Sequence, residues 1–303
     1  MSNRSPDQTR ARVANCHPFL KQLGLQPSAV LAILKHPEEY WRQIRGSSGR
    51  VYYGPNDELR AVQVQAFMYV RLSRYAAEPD TDHLPFPATA FGKGDSIIVN
   101  ARYHLKSRSS LGLDLRRAFE QIETKHIQRC LLRWGVQPDA SWVLARLLTR
   151  RGRLRLGAPT APALFNLLLG RLDRDLLSVV RSASGMIYTR YGDNLCFSAS
   201  DDVFPSEFKR RVIETVRRHG FLLNYKKTVE GGNGILEFPG VVIVQGEMRP
   251  LGRYIVNLAV RAENGALKNP EVRAGHRSFL NQFGTGGKRR VIEKIFVRGS
   301  SPA

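Results

Sequence analysis

Residues 185–198 constrain the fold more than any other stretch of this chain. Met186-Ile187-Tyr188-Thr189 leads in, Leu195-Cys196-Phe197-Ser198 leads out, and Gly192-Asp193-Asn194 lies between them. The two runs are strand-like and the centre has turn chemistry, so the segment reads as a β-hairpin. Its tip presents a short acidic side chain clear of the sheet.

A second acid stands in similar surroundings. Leu111-Gly112-Leu113-Asp114-Leu115 is an apolar stretch with one carboxylate. If this strand lies beside the hairpin, Asp114 and Asp193 converge. Such a pair suits Mg²⁺, which takes one or two carboxylates and completes its shell with substrate phosphates. Two such ions about 4 Å apart activate a hydroxyl nucleophile and stabilise a phosphate leaving group.

The remaining periodicity is mostly helical. Residues 27–35, with Val30, Leu31 and Leu34 as the apolar stripe, form one expected helix, and Pro37 ends it. Further helices are expected over 38–44, 59–75, 97–107, from about 116 to 134, and over 140–149, 162–180 and 206–219, the last closed by Gly220. Residues 46–49 read as a turn, 51–53 and 238–244 as strands, 1–20 as a frayed polar lead, and the part after Arg253 as basic and loosely helical. Strands mixed with helices in this way predict an α+β fold, an antiparallel sheet packed on helices.

Composition narrows the partner. With 47 Lys+Arg against 26 Asp+Glu the net charge is +21, on a chain whose 42% hydrophobic and 24% charged residues are a globular balance. That surplus points to a polyanion, nucleic acid above all. From Trp142 to Leu156 there are five arginines, Arg146, Arg150, Arg151, Arg153 and Arg155, and no acid. A solvated helix face mixes signs, so these read as phosphate-backbone contacts. No apolar run is long enough to span a membrane and no apolar h-region opens the chain. Three scattered cysteines without a CxxC pair suit a reducing compartment and suggest no zinc. The expectation is a cytoplasmic protein with no membrane partner.

Six segments, in order, resemble the reverse transcriptases of the bacterial retron and group II intron branch. Leu113-Asp114-Leu115-Arg116-Arg117-Ala118-Phe119 resembles the first acidic motif, and Gly157-Ala158-Pro159-Thr160-Ala161-Pro162 resembles the G-A-P-T-S-P motif. Tyr191-Gly192-Asp193-Asn194 sits where the family has Y-x-D-D, and Gly220-Phe221-Leu222-Leu223-Asn224-Tyr225-Lys226-Lys227-Thr228 resembles the motif after it. Phe238-Pro239-Gly240 falls where a short strand grips the primer. Upstream, Asn100-Ala101-Arg102-Tyr103-His104 resembles N-A-x-x-H, which is particular to retron enzymes.

The resemblance implies a right-hand polymerase. Residues 1–45 are expected as an N-terminal helical extension, 46–110 as fingers, 111–240 as palm and 241–303 as basic thumb. It implies an RNA-directed DNA polymerase that copies a structured noncoding RNA, with dNTPs and an RNA/DNA hybrid as partners and a defence effector as a further one. Asp114 and Asp193 would bind Mg²⁺, with Mn²⁺ as the alternative. Asn194 stands at the auxiliary acid's place, and Lys227 is the proton donor or charge clamp at the pyrophosphate. Phe119 would gate against a 2′-hydroxyl. Arg45 and Arg50 would touch the triphosphate, and Gly157 and Pro159 would shape the backbone near the templating base. Asn100, His104, Arg146, Arg150, Arg151, Arg153, Lys288, Arg289 and Arg290 are the expected RNA contacts.

The chain departs from the family pattern at four places. Asn194 replaces the second acid of Y-x-D-D, Leu156 replaces a glutamine, Phe238-Pro239-Gly240 replaces V-T-G, and Arg45-Gly-Ser-Ser-Gly-Arg50 is an eroded basic fingers motif. The competing readings are therefore an RNA-binding module with weakened catalysis and a nontemplated or protein-primed defence polymerase.

Overall fold

The computed structural model describes residues 6–46, 51–78, 87–264, 267 and 269–283. In chain order its elements are α1 (Pro6–Asn15), α2 (His17–Gln22), α3 (Pro27–Lys35), β1 (Trp41–Arg45), β2 (Val51–Pro55), α4 (Asp57–Ala77), α5 (Ile97–Arg102), β3 (Ser109–Asp114), α6 (Ala118–Gln121), α7 (Thr124–Arg133), α8 (Pro138–Leu147) and α9 (Ala161–Arg181). They continue as β4 (Met186–Tyr191), β5 (Asn194–Ala199), α10 (Ser206–Arg218), β6 (Val229–Gly231), β7 (Ile235–Phe238), β8 (Val241–Val244), β9 (Glu247–Pro250), α11 (Gly252–Glu263) and α12 (Pro270–Asn281). This is an α+β fold. It divides into two compact units, one of Met1–Phe86 with Arg116–Arg174, the other of Pro87–Leu115 with Asp175–Ala303. The linear segmentation at 45, 110 and 240 does not follow these units, because each unit is assembled from two stretches of chain.

The first unit is helical, with β1 and β2 as an antiparallel pair running from Trp41↔Pro55 to Arg45↔Val51. Pro27 and Pro138 each sit at the start of a helix, where the missing N–H costs nothing. Val30, Ile33 and Leu34 of α3 are buried, as are seven consecutive or near-consecutive residues of α8. Two expectations change here. Residues 6–20 are helical rather than frayed, because Val13, Cys16 and Leu20 are buried and Arg12 pairs with Asp139 at 2.7 Å. Residues 38–44 are not a helix: a 3₁₀ turn over Pro37–Tyr40 leads into β1, whose backbone is taken up by β2.

The second unit carries a four-stranded sheet of order β4-β5-β3-β6, antiparallel throughout. Alternation along the strands gives it two faces. Leu111, Leu113, Leu195 and Phe197 are buried on one, where Phe197 meets Phe208 of α10 edge-on at 6.3 Å. Burying each such side chain contributes about 1.5–3 kcal/mol. On the other face Cys196 packs with Ile98 and Ala101 of α5 and with Leu236, Phe238, Val241 and Ile243. Full burial pushes the Cys196 thiol up to about 12, so it stays an inert apolar filler. The strand expected over 238–244 is two strands, since Pro239-Gly240 turns the chain and lets β7 pair with β8, while β9 adds a third. The helix expected over 97–107 ends at Arg102 and tightens into turns, with His104 N–H donating to the Ala101 carbonyl at 3.0 Å.

Candidate active site

The hairpin forms as its sequence demands. Tyr191 pairs with Asn194, which leaves a two-residue loop of Gly192 and Asp193. Gly192 has φ +62, a left-handed conformation that a tight hairpin turn reserves for glycine. β3 then pairs with β5 so that Asp114 lies directly across from Asn194. The N–H of Leu115 donates to the Asp193 carbonyl at 2.9 Å. Backbone pairing alone thus brings the strand-end acid and the turn acid together, two residues that are 79 positions apart in the chain (193 − 114).

A third segment closes on the same strand end. Leu223 bridges Leu115, and the N–H of Asn224 donates to the Asp114 carbonyl at 2.8 Å. The 3₁₀ turn over Tyr225–Lys227 follows, and Lys227 Nζ reaches Asp114 Oδ2 at 3.1 Å. The partners differ in exposure: the lysine side chain is 65% exposed and the aspartate only 8%. A mobile ammonium therefore covers a buried carboxylate from the solvent side. Asn194 lies between, its Nδ2 donating to Asp193 Oδ1 at 3.2 Å and to the Tyr191 carbonyl at 3.3 Å. Four predicted residues, Asp114, Asp193, Asn194 and Lys227, are thus brought together.

The donor set is two carboxylates and one amide, all offering oxygen. Hard divalent cations of the Mg²⁺ and Mn²⁺ type take such ligands. No cluster of three or more His, Cys, Asp or Glu able to hold a metal occurs among the described residues. A site of this kind fits a metal that arrives with substrate phosphates rather than one caged by the protein.

Sequence reasoning missed the support behind the turn. Arg190 is fully buried and donates from Nη1 to the Gly192 carbonyl at 3.0 Å. Its backbone is gripped on the free edge of β4, where Arg190 N–H donates to the Pro87 carbonyl and Thr89 N–H to the Arg190 carbonyl. Nothing in the local pattern marks an arginine in a strand as interior. Its acceptor, the Gly192 carbonyl two residues on, is aimed at the guanidinium only once the hairpin turn forms.

Asn100 and His104 need correction. Both were expected to face RNA, yet neither side chain has any exposure. Asn100 Nδ2 donates to Thr89 Oγ1 at 2.9 Å and to Thr189 Oγ1 at 2.8 Å. His104 bonds Ser198 Oγ through Nδ1 and Thr189 Oγ1 through Nε2, each at 2.7 Å. Its ring also stacks on Phe238, centroids 4.4 Å apart. Burial lowers the imidazole pKa to about 3, so the ring is neutral, donating from one nitrogen and accepting at the other. The pair braces the interior of the unit that carries Asp193.

Phe119, Gly157, Pro159 and Arg45 lie in the first unit. Phe119 is half-buried and stacks on Phe165, centroids 4.5 Å apart at 20°. Gly157 has φ +117, and a Cβ there would stand 2.8 Å from the Tyr53 carbonyl, so β2 packs against bare backbone. Pro159 lies in the turns before α9 and is exposed, beside buried Ala158. Arg45 ends β1 and is exposed.

The arginine cluster is not short of acids once folded. Arg150 and Arg151 both pair with Glu38, Arg153 with Glu123 at 3.5 Å, and Arg155 with Glu120 at 3.8 Å. Arg150 is 9% exposed and lies 4.0 Å from the Tyr53 ring centre, which makes it a structural residue and not a phosphate contact. Arg146 lies over the Trp142 ring at 4.9 Å. Arg50, Lys288, Arg289 and Arg290, like the turn at 47–49, fall outside the described residues.

Strand register thus sets one carboxylate at a strand end and another in the adjacent hairpin turn of an antiparallel sheet. The family model described as reverse transcriptase (RNA-dependent DNA polymerase) matches residues 49–243, and the chain belongs to that family. Its similarity within the family is to retron enzymes. It is 28% identical over 244 residues to the retron Mx65 reverse transcriptase of Myxococcus xanthus, covering 73% of this chain and 55% of that protein. It is 28% identical over 252 residues to the retron Ec86 reverse transcriptase of Escherichia coli, covering 81% and 75%. The chain thus spans little more than half the length of the first relative. Among solved structures, telomerase from Candida albicans in complex with a TWJ fragment of telomeric RNA shares the fold at a TM-score of 0.51 and 11% identity, over 73% of this chain and 50% of that one.

Proposed function

We propose that this chain is an RNA-directed DNA polymerase of the retron type, which copies a structured noncoding RNA using dNTPs. One observation carries the reading: Asp114 and Asp193 meet through strand register, with Lys227 on the Asp114 carboxylate. Asp114 and Asp193 would hold Mg²⁺ or Mn²⁺, which would supply charge neutralisation at the triphosphate and a more acidic 3′-hydroxyl. Lys227 moves from Asp114 Oδ2 to the leaving pyrophosphate and gives up its Nζ proton there. Arg190 and the Asn100–His104 brace keep the Gly192–Asp193 turn fixed while this happens. By motif resemblance, Phe119 disfavours a 2′-hydroxyl, and Arg45, Gly157 and Pro159 serve the nucleotide. The fingers, palm and thumb assignment, a cytoplasmic location, a role in anti-phage defence and an effector partner belong to the same reading.

A second reading is favoured by Asn194. Its amide puts a hydrogen-bond donor on Asp193 where the family pattern has an acid. Such a site holds metal more weakly, and the chain then serves chiefly to bind RNA. Primer extension by the purified protein on an RNA template decides between the two. DNA product lost in Asp193→Ala is the expected result. No product from the parent, with product restored in Asn194→Asp, would give the lead to the binding reading.

A further inference from the structure

A cavity of about 690 Å³ opens within the first unit, lined by residues from α1, α3, the turn before β1, α7 and α8. It is separate in sequence and in unit from the carboxylate pair. Its volume lies in the range of about 300–1,000 Å³ typical of small-ligand sites. The floor is apolar: Ile33, Leu34, Leu59, Leu147, Trp41 and Trp142 line it and are all buried.

The rim has the opposite character. Lys125, Arg146 and Arg151 line it, and among the lining residues Glu38 is the one acid. Thr9, Thr124 and Thr149 add hydroxyls. Arg151 is placed by its backbone. It forms with Gly152 a two-residue turn, both at positive φ, closed by hydrogen bonds between Arg150 and Arg153 in each direction. Its side chain is 59% exposed and pairs with Glu38 at 3.0 Å, and that of Lys125 is 67% exposed and pairs with Glu123 at 2.7 Å, so an incoming anion reaches both from solvent by exchanging with these carboxylates. Arg12 and Arg146 lie 5.2 and 4.9 Å from the Trp142 ring centre and hold that indole in place.

A bare phosphate would leave the indole floor uncovered. A purely apolar ligand would make no use of the exposed ends of Lys125 and Arg151 at the rim. The chemistry that satisfies both is a flat heterocycle carrying a phosphate. We infer that this cavity is a nucleotide subsite, with the base against Trp41 and Trp142 and the phosphate between Lys125 and Arg151. The ligand has two sources, a free mononucleotide or an unpaired nucleotide of a bound RNA strand.

Tryptophan fluorescence tests this in the full chain. Trp134, the third of the three tryptophans, is replaced in a Trp134→Phe background so that only the cavity pair reports. EDTA keeps metal-bound nucleotide from the carboxylate pair. Adenosine 5′-monophosphate is expected to quench, with Kd weakened by about tenfold or more in Lys125→Glu and in Arg151→Glu. Asp193→Asn leaves that Kd unchanged, so failure of the catalytic reading does not carry this one with it. A short single-stranded RNA that competes with the mononucleotide and binds about tenfold tighter identifies the strand as source, and equal affinity identifies the free nucleotide. The inference is overturned if neither probe quenches, if inorganic phosphate quenches with the same Kd, or if both charge reversals bind like the parent with unchanged melting temperature.

Discussion

At the scale of single residues the chemistry rests on where acids and their neighbours sit. Asp114 is buried beneath an exposed lysine, so Lys227→Ala uncovers it without creating a cavity. The expected result is a primer-extension rate lower by about 10²–10⁴-fold with little change in melting temperature, as for loss of a general acid. Lys227→Arg keeps the charge but not the proton transfer, and recovers only the nucleotide affinity. His104 provides a pH signature of a different kind. Its pKa is about 6.5 unfolded and about 3 folded, so the unfolded chain binds more protons below pH 6.5. The contribution of the neutral ring is fully present above pH 6.5 and is lost progressively as pH falls towards 3, by up to about 1.4 kcal/mol per pH unit. Urea midpoints of the parent should therefore fall between pH 6.5 and pH 5 more steeply than those of His104→Asn, which does not titrate there. Parallel pH profiles would remove His104 from the account. That this histidine is interior was not legible in the sequence. Its partners Thr189 and Ser198 lie 85 and 94 positions away, and a polar residue spaced four from Asn100 looks the same whether it faces water or hydroxyls.

At the scale of elements the readable parts were those with local signals. The 185–198 hairpin announces itself by its turn residues, and α3 by Pro27 and its apolar stripe, and both form where expected. Elements fixed by distant partners were not readable. β1 was taken for helix because its alternation is weak, and only pairing with β2 makes it a strand. Residues 238–244 read as one strand because Pro239-Gly240 looks like a motif rather than a turn until the β7–β8 pairing is known. α1 looks polar because its burial comes from α3 and α8, the latter joined by the Arg12–Asp139 ion pair. The close approach of β2 to the Gly157 loop yields a prediction at this scale. Gly157→Ala forces a φ of +117 on an L-residue and drives its Cβ to 2.8 Å from the Tyr53 carbonyl. A melting temperature lowered by the equivalent of about 1–3 kcal/mol is expected. Gly192→Ala meets only Phe91 at 3.5 Å, an ordinary contact, and costs about 1 kcal/mol through φ alone. Equal losses at the two positions would mean that the β2 packing does not decide the first.

At the scale of the whole molecule, charge and connectivity act together. Both units are discontinuous, closed by packing between segments remote in sequence. The same remoteness hides the acids that neutralise the arginine cluster. Glu38 lies 112 positions from Arg150 and 113 from Arg151, yet holds both. The five arginines between Trp142 and Leu156 therefore overstate how many cations that stretch offers an RNA phosphate backbone. Each phosphate neutralised releases counterions and adds about −0.7 to the slope of log K against log salt for a single strand. Removing Glu38 by Glu38→Gln should uncover Arg151, whose side chain is already 59% exposed, and steepen that slope by about one such increment. Arg150→Ala should lower the melting temperature and leave the slope as it was, since Arg150 is buried against Tyr53. Anisotropy of a labelled RNA titrated across potassium chloride concentrations measures both. A slope that stays put in Glu38→Gln would place the turn carrying Arg151 off the RNA path, and would leave the cavity beside it to a free nucleotide.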